Sequence, residues 1–215
     1  MNKYSVAVFD LDGTILNTLY DLADALNYAL KKNGYPKRSE TEVMAFVGNG
    51  IPMLCKRATP ENGDYEKVVF DFMPYYSKHS CDNTRPYNGI CELFEKLKKR
   101  GVKIAVVTNK ADKEAQNLCR RFFGDLVDIA VGAKENVPKK PSPEAIFFAL
   151  DSLGEKRENA VYIGDSEVDI ATAKNSSLSL ICVDWGFRTK EQLITAGAEV
   201  IVSDTAELER IIFAN

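Results

Sequence analysis

Short apolar runs of strand length alternate along the chain with amphipathic stretches of helical length, and this alternation constrains the fold most. The β-branched apolar runs, each predicted to be a buried strand, cover residues 5–9, 103–107, 128–131, 160–163, 179–183 and 200–202. The amphipathic stretches between and after the later runs cover residues 90–100, 112–123, 143–153, 168–175 and 205–213. Strands that alternate with helices form parallel βαβ units, so the sequence predicts an α/β fold with a parallel sheet.

One connection in this series is too long for a plain βαβ unit. The first run ends at Phe9 and the second begins at Lys103, whereas such a unit takes on the order of 30 residues. The intervening sequence has helical periodicity at 18–33, 52–58 and 61–79. The first of these stretches carries leucines at helical spacing, namely Leu19, Leu22, Leu26 and Leu30. Pro74 is expected to kink or split the last stretch. Ser39 and Glu42 form a capping-box pattern for a further short helix. We therefore predict an all-helical domain at 15–85 inserted into a core of 1–14 and 86–215, with a cleft between them that can close.

Polar side chains follow the predicted strands at their carboxyl ends, where ligands bind in open parallel sheets. They comprise four acids, two neutral donors and one lysine: Asp10, Asp12, Thr108, Asn109, Lys140, Asp165 and Asp169. If these loops converge, the crowded acids require either raised pKa values or a cation, and oxygen ligands favour magnesium. A divalent cation beside hydroxyl, amide and ammonium donors is suited to a phosphoryl group, which predicts a phosphate ester as substrate.

Two acids with separate roles fit this chemistry. A carboxylate near the metal can attack phosphorus to form an acyl phosphate, and a second can protonate the leaving oxygen and later activate water. Asp10 and Asp12, one residue apart after the first strand, fit these two roles.

Four motifs in this order resemble the haloacid dehalogenase superfamily of phosphatases, in its phosphoglycolate phosphatase-like branch. The motifs are DLDGT at 10–14, TN at 108–109, KKPSP at 139–143 and GDSEVD at 164–169. The resemblance spans nearly the whole chain. It implies a Rossmann-like core with strand order 3-2-1-4-5 and places the helical insertion in the position of the family's cap domain. Ser142 is a departure, because relatives often carry aspartate there.

The resemblance also implies roles for individual residues. Asp10 would be the nucleophile and Asp12 the general acid and base, while Thr108, Asn109 and Lys140 would bind phosphate. Mg²⁺ would be held by the Asp10 side chain, the backbone carbonyl of Asp12 and Asp165, with Asp169 acting through water or orienting the site. These assignments make Asp10, Asp12, Asp165 and Asp169 the expected metal-site residues.

The branch assignment rests on two further segments. Residues 47–50 with Arg57 and Ala58 look like the cap loop of phosphoglycolate phosphatases, and 185–188 match that branch's usual Trp-Gly-aromatic-Arg. The cap loop makes Gly48, Asn49 and Arg57 candidate substrate-binding residues, with the loop amides and Arg57 expected to meet a substrate carboxylate.

Composition excludes several other classes. Lys plus Arg total 28 against 31 for Asp plus Glu, a net charge of −3 with the signs mixed, which disfavours nucleic-acid or membrane-surface binding. No apolar run is long enough to span a membrane, and acids interrupt the apolar stretch at the N-terminus. Five scattered cysteines without a C-x-x-C pair indicate a reducing cytoplasm, and His79 as the single histidine argues against a Ser-His-Asp triad or a zinc site.

The sequence therefore predicts a Mg²⁺-dependent phosphomonoesterase for a small phosphorylated metabolite, with phosphoglycolate as the leading candidate. A pyrophosphatase or a sugar-phosphate mutase of the same superfamily remains open, and a dehalogenase is disfavoured because those relatives lack the acid at the position of Asp12. A catalytically silent phosphometabolite-binding protein is the alternative of another class. Either a monomer or a homodimer is compatible with the sequence.

Overall fold

The computed structural model describes residues 3–214, which divide into two compact units. The core unit comprises the residues up to Leu16 and those from Pro86 onward, and the helical unit is Asn17–Arg85. The first boundary lies after Leu16, two residues beyond the position after Thr14 at which the sequence analysis placed it.

The described residues form eight strands and ten α-helices. The strands are β1 Val6–Phe9, β2 Leu16–Asn17, β3 Arg85–Pro86, β4 Lys103–Ala111, β5 Ile129–Ala133, β6 Ala160–Gly164, β7 Ser179–Val183 and β8 Ile201–Val202. The helices are α1 Leu19–Lys32, α2 Glu40–Phe46, α3 Ile51–Ala58, α4 Tyr65–His79, α5 Ile90–Lys99, α6 Asp112–Phe123, α7 Glu144–Leu153, α8 Glu167–Ser176, α9 Lys190–Thr195 and α10 Thr205–Phe213.

The core unit is built on a parallel sheet with the order β5-β4-β1-β6-β7-β8. This sheet confirms the predicted α/β class, but the expected order 3-2-1-4-5 does not match exactly because a sixth strand extends the edge. That strand is β8, which pairs with β7 through Cys182 and Ile201. Its apolar run was recognised in the sequence, but a run of two paired residues carries too little pattern to fix its place in the sheet.

Both faces of the sheet are covered by helices, which explains why the central strands are apolar along their whole length. All four residues of β1 and all five of β6 are buried. Val8 belongs to a cluster that includes Ile146 and Leu150 of α7, whereas Phe9 packs against Phe94 of α5 with ring centroids 5.0 Å apart. Alternate residues of one strand thus serve opposite faces, as the pleat requires.

The helical unit has its own apolar core from α1, α2, α3 and α4. Ser39 and Glu42 form the predicted capping box at the start of α2. The predicted split at Pro74 is wrong, since α4 runs through it from Tyr65 to His79. Buried residues on both sides of the proline, among them Val68 and Tyr76, pack into this core and offset the lost hydrogen bond.

Three of the five cysteines are buried: Cys55, Cys119 and Cys182. Burial raises the pKa of each of these thiols to about 12, so they remain protonated at neutral pH. Over residues 3–214 we find no helix with the length and apolar character needed to cross a bilayer.

Candidate active site

The ends of three neighbouring strands bring the predicted site residues of the core unit together. Asp10 follows β1, Thr108 lies near the end of β4, and Asp165 follows β6. Since β4, β1 and β6 are adjacent and parallel, these ends meet at one edge of the sheet. Lys140 reaches the same place from the loop that precedes α7.

Asp10 has a carboxylate whose Oδ1 is held both by the backbone and by a lysine. Its Oδ1 accepts a hydrogen bond of 2.7 Å from the amide of Leu11 and lies 2.8 Å from Nζ of Lys140. Burial raises the pKa of Asp10 to about 7, although the charge of Lys140 acts in the opposite direction. The side chain is therefore oriented, and its ionised form depends on nearby positive charge.

Lys140 is a buried ammonium group shared by two acids. Its Nζ lies 2.8 Å from Oδ1 of Asp169, in addition to its contact with Asp10, and donates to the hydroxyl of Tyr162 at 2.9 Å. Burial by itself lowers the pKa of Lys140, but Asp10 and Asp169 outweigh that effect and hold it above the usual range. Lys140 consequently stays charged in a site from which water is largely excluded.

Asp169 uses both carboxylate oxygens in hydrogen bonds within the protein. Oδ1 accepts from Lys140 and from Tyr162 at 2.9 Å, and Oδ2 accepts from the amides of Asp165 and Ser166 and from the Ser166 hydroxyl at 2.6 Å. Burial would raise the pKa of Asp169, but Lys140 and these donors hold it below its usual value. The arrangement suits a residue that orients Lys140 and the start of α8.

Asp165 is held by one donor on each oxygen. Its Oδ1 accepts from the Thr14 hydroxyl at 3.0 Å and its Oδ2 from the amide of Phe187 at 2.7 Å. Burial, together with the charge of Asp169, raises the pKa of Asp165 well above its usual value. Gly186 allows this close packing, since a Cβ there would lie 2.5 Å from Cβ of Asp165.

The segment that follows β7 makes two further contacts near the site, in addition to the hydrogen bond from the amide of Phe187. Trp185 donates its indole N–H to the carbonyl of Thr14 at 3.0 Å, and Arg188 pairs with Glu167 at 2.8 Å. The hydrogen bond from Trp185 ties it to the loop that carries Asp10 and Asp12.

Asp12 forms a two-oxygen ion pair that sequence reasoning missed. Nζ of Lys110 lies 2.9 Å from Oδ1 and 3.1 Å from Oδ2 of Asp12. Lys110 directly follows the Thr108–Asn109 motif, and residues two apart on a strand point to the same face. That alternation does not hold here, because the register of β4 shifts between Val107 and Ala111, so the sequence carried no usable signal for this contact.

Thr108 and Asn109 lie beside the lysine loop. Asn109 donates from its amide nitrogen to the carbonyl of Lys140 at 3.0 Å, and the Thr108 hydroxyl accepts from the amide of Lys110 at 3.2 Å. Asn109 thus contacts Lys140, and Thr108 precedes Asn109 on β4, while phosphate binding by these three residues stays a prediction.

Three acids form a group that could hold a metal ion. Asp10, Asp165 and Asp169 each offer a carboxylate oxygen, and these atoms lie within 4.8 Å of one another. Three carboxylates against the single ammonium of Lys140 leave two negative charges, which a divalent cation would balance. The donors are all oxygen atoms, so the set fits a hard cation.

The candidate substrate-binding residues of the helical unit contact one another. Arg57 donates to the carbonyl of Phe46 and to Oδ1 of Asn49, both at 2.7 Å, and the exposed guanidinium thereby braces the loop that contains Gly48. Gly48 and Gly50 have φ values of 134° and 84°, which the loop could not adopt readily with other residues.

Comparisons with known proteins agree with this geometry. The family described as haloacid dehalogenase-like hydrolase matches residues 7–183. A protein from Haemophilus influenzae named phosphoglycolate phosphatase is 29% identical over 221 residues, covering 98% of this chain and 99% of that protein. A Pseudomonas syringae protein of the same name is 30% identical over 211 residues, covering 94% and 77% respectively. The crystal structure of a candidate phosphoglycolate phosphatase from Lactobacillus delbrueckii subsp. bulgaricus superimposes with a TM-score of 0.93 at 35% identity, covering 99% of this chain and 100% of that one.

Proposed function

The chain belongs to the haloacid dehalogenase-like hydrolase family, in its phosphoglycolate phosphatase-like branch, and we propose that it hydrolyses a small phosphate monoester through an aspartyl phosphate. The observation that carries this proposal is the buried carboxylate of Asp10, which Lys140 contacts at 2.8 Å beside the second buried acid Asp165. A carboxylate that is held by an ammonium group and would also meet a divalent cation is suited to attack a phosphoryl group.

The residues that would hold Mg²⁺ are the side chains of Asp10 and Asp165 and the backbone carbonyl of Asp12. Asp169 is better suited to orient its neighbours, because both of its oxygens already accept hydrogen bonds. Bound Mg²⁺ would supply charge neutralisation for the carboxylates and the transferring phosphoryl oxygens.

The reaction would take place in two steps. In the first, a carboxylate oxygen of Asp10 attacks phosphorus, the bond to the ester oxygen breaks with its electron pair, and Asp12 gives that oxygen a proton. In the second, water attacks the phosphorus of the acyl phosphate while Asp12 takes its proton, which releases inorganic phosphate and the Asp10 carboxylate. Thr108, Asn109 and Lys140 would bind the phosphoryl oxygens throughout.

Phosphoglycolate is the proposed substrate because relatives 29–30% identical over nearly the whole chain carry that activity in their names. Gly48, Asn49 and Arg57 are proposed to bind the substrate carboxylate, which suits the exposed guanidinium of Arg57. A cytoplasmic location, a monomeric or homodimeric state and the absence of nucleic-acid partners stay predictions from the sequence.

Phosphate release from a panel of esters tests this function. The panel contains phosphoglycolate, pyrophosphate and hexose phosphates, each with Mg²⁺ or EDTA. The rates of phosphate release from these substrates are compared as kcat/KM values. We expect metal-dependent release with a preference for phosphoglycolate. Preference for pyrophosphate would identify a pyrophosphatase, and glucose 6-phosphate formed from β-glucose 1-phosphate would identify a mutase. Stabilisation by these ligands without turnover would instead support a binding protein.

A further inference from the structure

Lys110 lies beside the candidate site but has no part in the reaction scheme above. Its side chain is 4% exposed, and its Nζ contacts both carboxylate oxygens of Asp12, at 2.9 and 3.1 Å. We propose that Lys110 is a positioning residue that fixes the Asp12 carboxylate for proton transfer to the leaving oxygen. Lys110 thereby adapts the site to esters of unactivated alcohols, whose leaving oxygen must be protonated. This inference rests on the proposed function.

The backbone of β4 explains how Lys110 reaches Asp12. Val107 pairs with Val131 and Ala111 with Ala133, so residues 108–110 of β4 stand opposite the single residue Gly132 of β5. Such a bulge bends the strand and redirects its side chains, and bulges are common beside active sites. The amide of Lys110 also donates to the Thr108 hydroxyl at 3.2 Å. The same distortion therefore places the phosphate-binding candidates and Lys110.

Gly132 is the residue that makes room for this bulge. A Cβ at position 132 would lie 2.7 Å from the carbonyl oxygen of Lys110 and equally close to the amide nitrogen of Asp112. In addition, Asp112 accepts a hydrogen bond of 2.9 Å from the amide of Gly132. Both strands therefore hold the backbone at Lys110 in one place, as expected of a residue whose side chain sets the position of another.

The geometry of the contact between Lys110 and Asp12 fixes the orientation of the Asp12 carboxylate, in addition to stabilising its charge. A carboxylate with both oxygens on one ammonium group cannot rotate freely about its last bond. The burial of Lys110 also keeps solvent from competing for the ammonium, unlike in surface ion pairs, which contribute little. Misplacement of a reacting group by about 1 Å can lower a rate about 10²-fold. Loss of Lys110 should therefore impair the steps in which Asp12 moves a proton.

The test compares two esters that differ in their need for that proton. Values of kcat/KM are measured with Mg²⁺ for phosphoglycolate and for p-nitrophenyl phosphate, whose leaving group departs without protonation. In Lys110→Met we expect kcat/KM to fall about 10²-fold for phosphoglycolate and to stay unchanged for p-nitrophenyl phosphate. Lys110→Arg, which keeps a two-pronged donor, should recover part of the loss. Lys113→Met, the same change at an exposed site on α6, should behave as the parent protein.

A double variant separates action through Asp12 from direct action. If Lys110 acts only by positioning Asp12, Asp12→Asn combined with Lys110→Met should be no slower on phosphoglycolate than Asp12→Asn alone. Equal losses on both esters, additive losses in the double variant, or faster hydrolysis of phosphoglycolate by Lys110→Met would each overturn the proposal. If Lys110→Met melts at a much lower temperature, Lys110→Arg decides instead, through its ratio of kcat/KM for phosphoglycolate to kcat/KM for p-nitrophenyl phosphate. If both kcat/KM values of Lys110→Arg fall by the same factor, so that this ratio equals that of the parent protein, the proposal is wrong. An inactive parent protein would contradict the proposed function instead.

Discussion

The Nζ atom of Lys140 lies 2.8 Å from Oδ1 of Asp10, which joins the end of the first strand to a loop that begins more than half the chain later. The lysine loop is itself tied to β4, because Asn109 donates to the carbonyl of Lys140. The orientation of the proposed nucleophile therefore depends on three separate segments of the core unit.

Removing the ammonium group of Lys140 should destabilise the fold. In Lys140→Met, the buried carboxylates of Asp10 and Asp169 lose their cation, and the expected loss in the free energy of unfolding is about 3–5 kcal/mol in EDTA. Urea denaturation measures this loss. Lys139, the exposed residue before Lys140, offers a matched control. Lys139→Met should change the free energy of unfolding by less than about 0.5 kcal/mol. Equal stability of the two variants would show that the buried acids do not need Lys140.

A methyl group at position 186 should disturb the proposed metal site. The new Cβ of Gly186→Ala would overlap Asp165, so we expect a cost of about 1–3 kcal/mol in stability and weaker Mg²⁺ binding by calorimetric titration. Gly154→Ala is the control, because its Cβ meets no neighbour within 4 Å, although its φ of +68° adds a cost of about 1–2 kcal/mol. An unchanged Mg²⁺ affinity in Gly186→Ala would count against Asp165 as a ligand.

The stabilisation by Mg²⁺ should depend on pH. Burial raises the pKa of Asp10 from 3.8 in the unfolded chain to about 7, so the folded protein binds more protons than the unfolded one between these values. The metal-free protein should therefore lose stability as the pH rises through this interval. The lowered pKa of Asp169 changes stability only below pH 3.8, which lies outside this pH interval.

Mg²⁺ needs the ionised carboxylates and should offset that loss. We expect the increase in melting temperature caused by Mg²⁺ to be larger at about pH 8 than at about pH 5. Thermal unfolding with Mg²⁺ or EDTA at both values measures the difference. A shift of the same size at both would contradict the assignment of Asp10 as a ligand.

Arg57 should affect substrates that carry a carboxylate. For phosphoglycolate, Arg57→Ala is expected to raise KM about tenfold or more, which corresponds to one lost charged hydrogen bond, while esters without a carboxylate keep their KM. Steady-state kinetics on both kinds of ester tests this. Lys56→Ala changes the adjacent exposed cation and should leave both KM values unaltered. An unchanged KM for phosphoglycolate in Arg57→Ala would reject this role.

Much of the site could be predicted from the sequence because its residues follow strand ends, and parallel strands end at one edge. Asp10, Asp165 and Lys140 meet there, and the family is recognisable from the same motifs. The contact between Lys110 and Asp12 could not be predicted, because it depends on a bulge in β4 that no residue pattern specifies. The hydrogen bond from the amide of Phe187 to Asp165 likewise involves a backbone group, which carries no side-chain signal.

The role of Asp169 shows a further limit of sequence reasoning. Its spacing from Asp165 is compatible with a metal ligand, with a residue that orients the site and with an acid that favours the start of a helix. The hydrogen bonds to both of its oxygens distinguish these interpretations and favour orientation. Likewise, the sequence predicted a break at Pro74, but α4 continues through it because buried residues before and after the proline pack into the core. In each case packing decides what local pattern leaves open.

The most direct test of the account is whether Asp10 carries a phosphoryl group during turnover. The protein is mixed with phosphoglycolate and Mg²⁺, quenched in acid within one turnover, digested and analysed by mass spectrometry, with Asp10→Asn and an EDTA sample as controls. We predict one added phosphoryl group on the peptide that contains Asp10, absent from both controls. Phosphate release by the parent protein with no such adduct, or release retained in Asp10→Asn, would contradict Asp10 as the nucleophile.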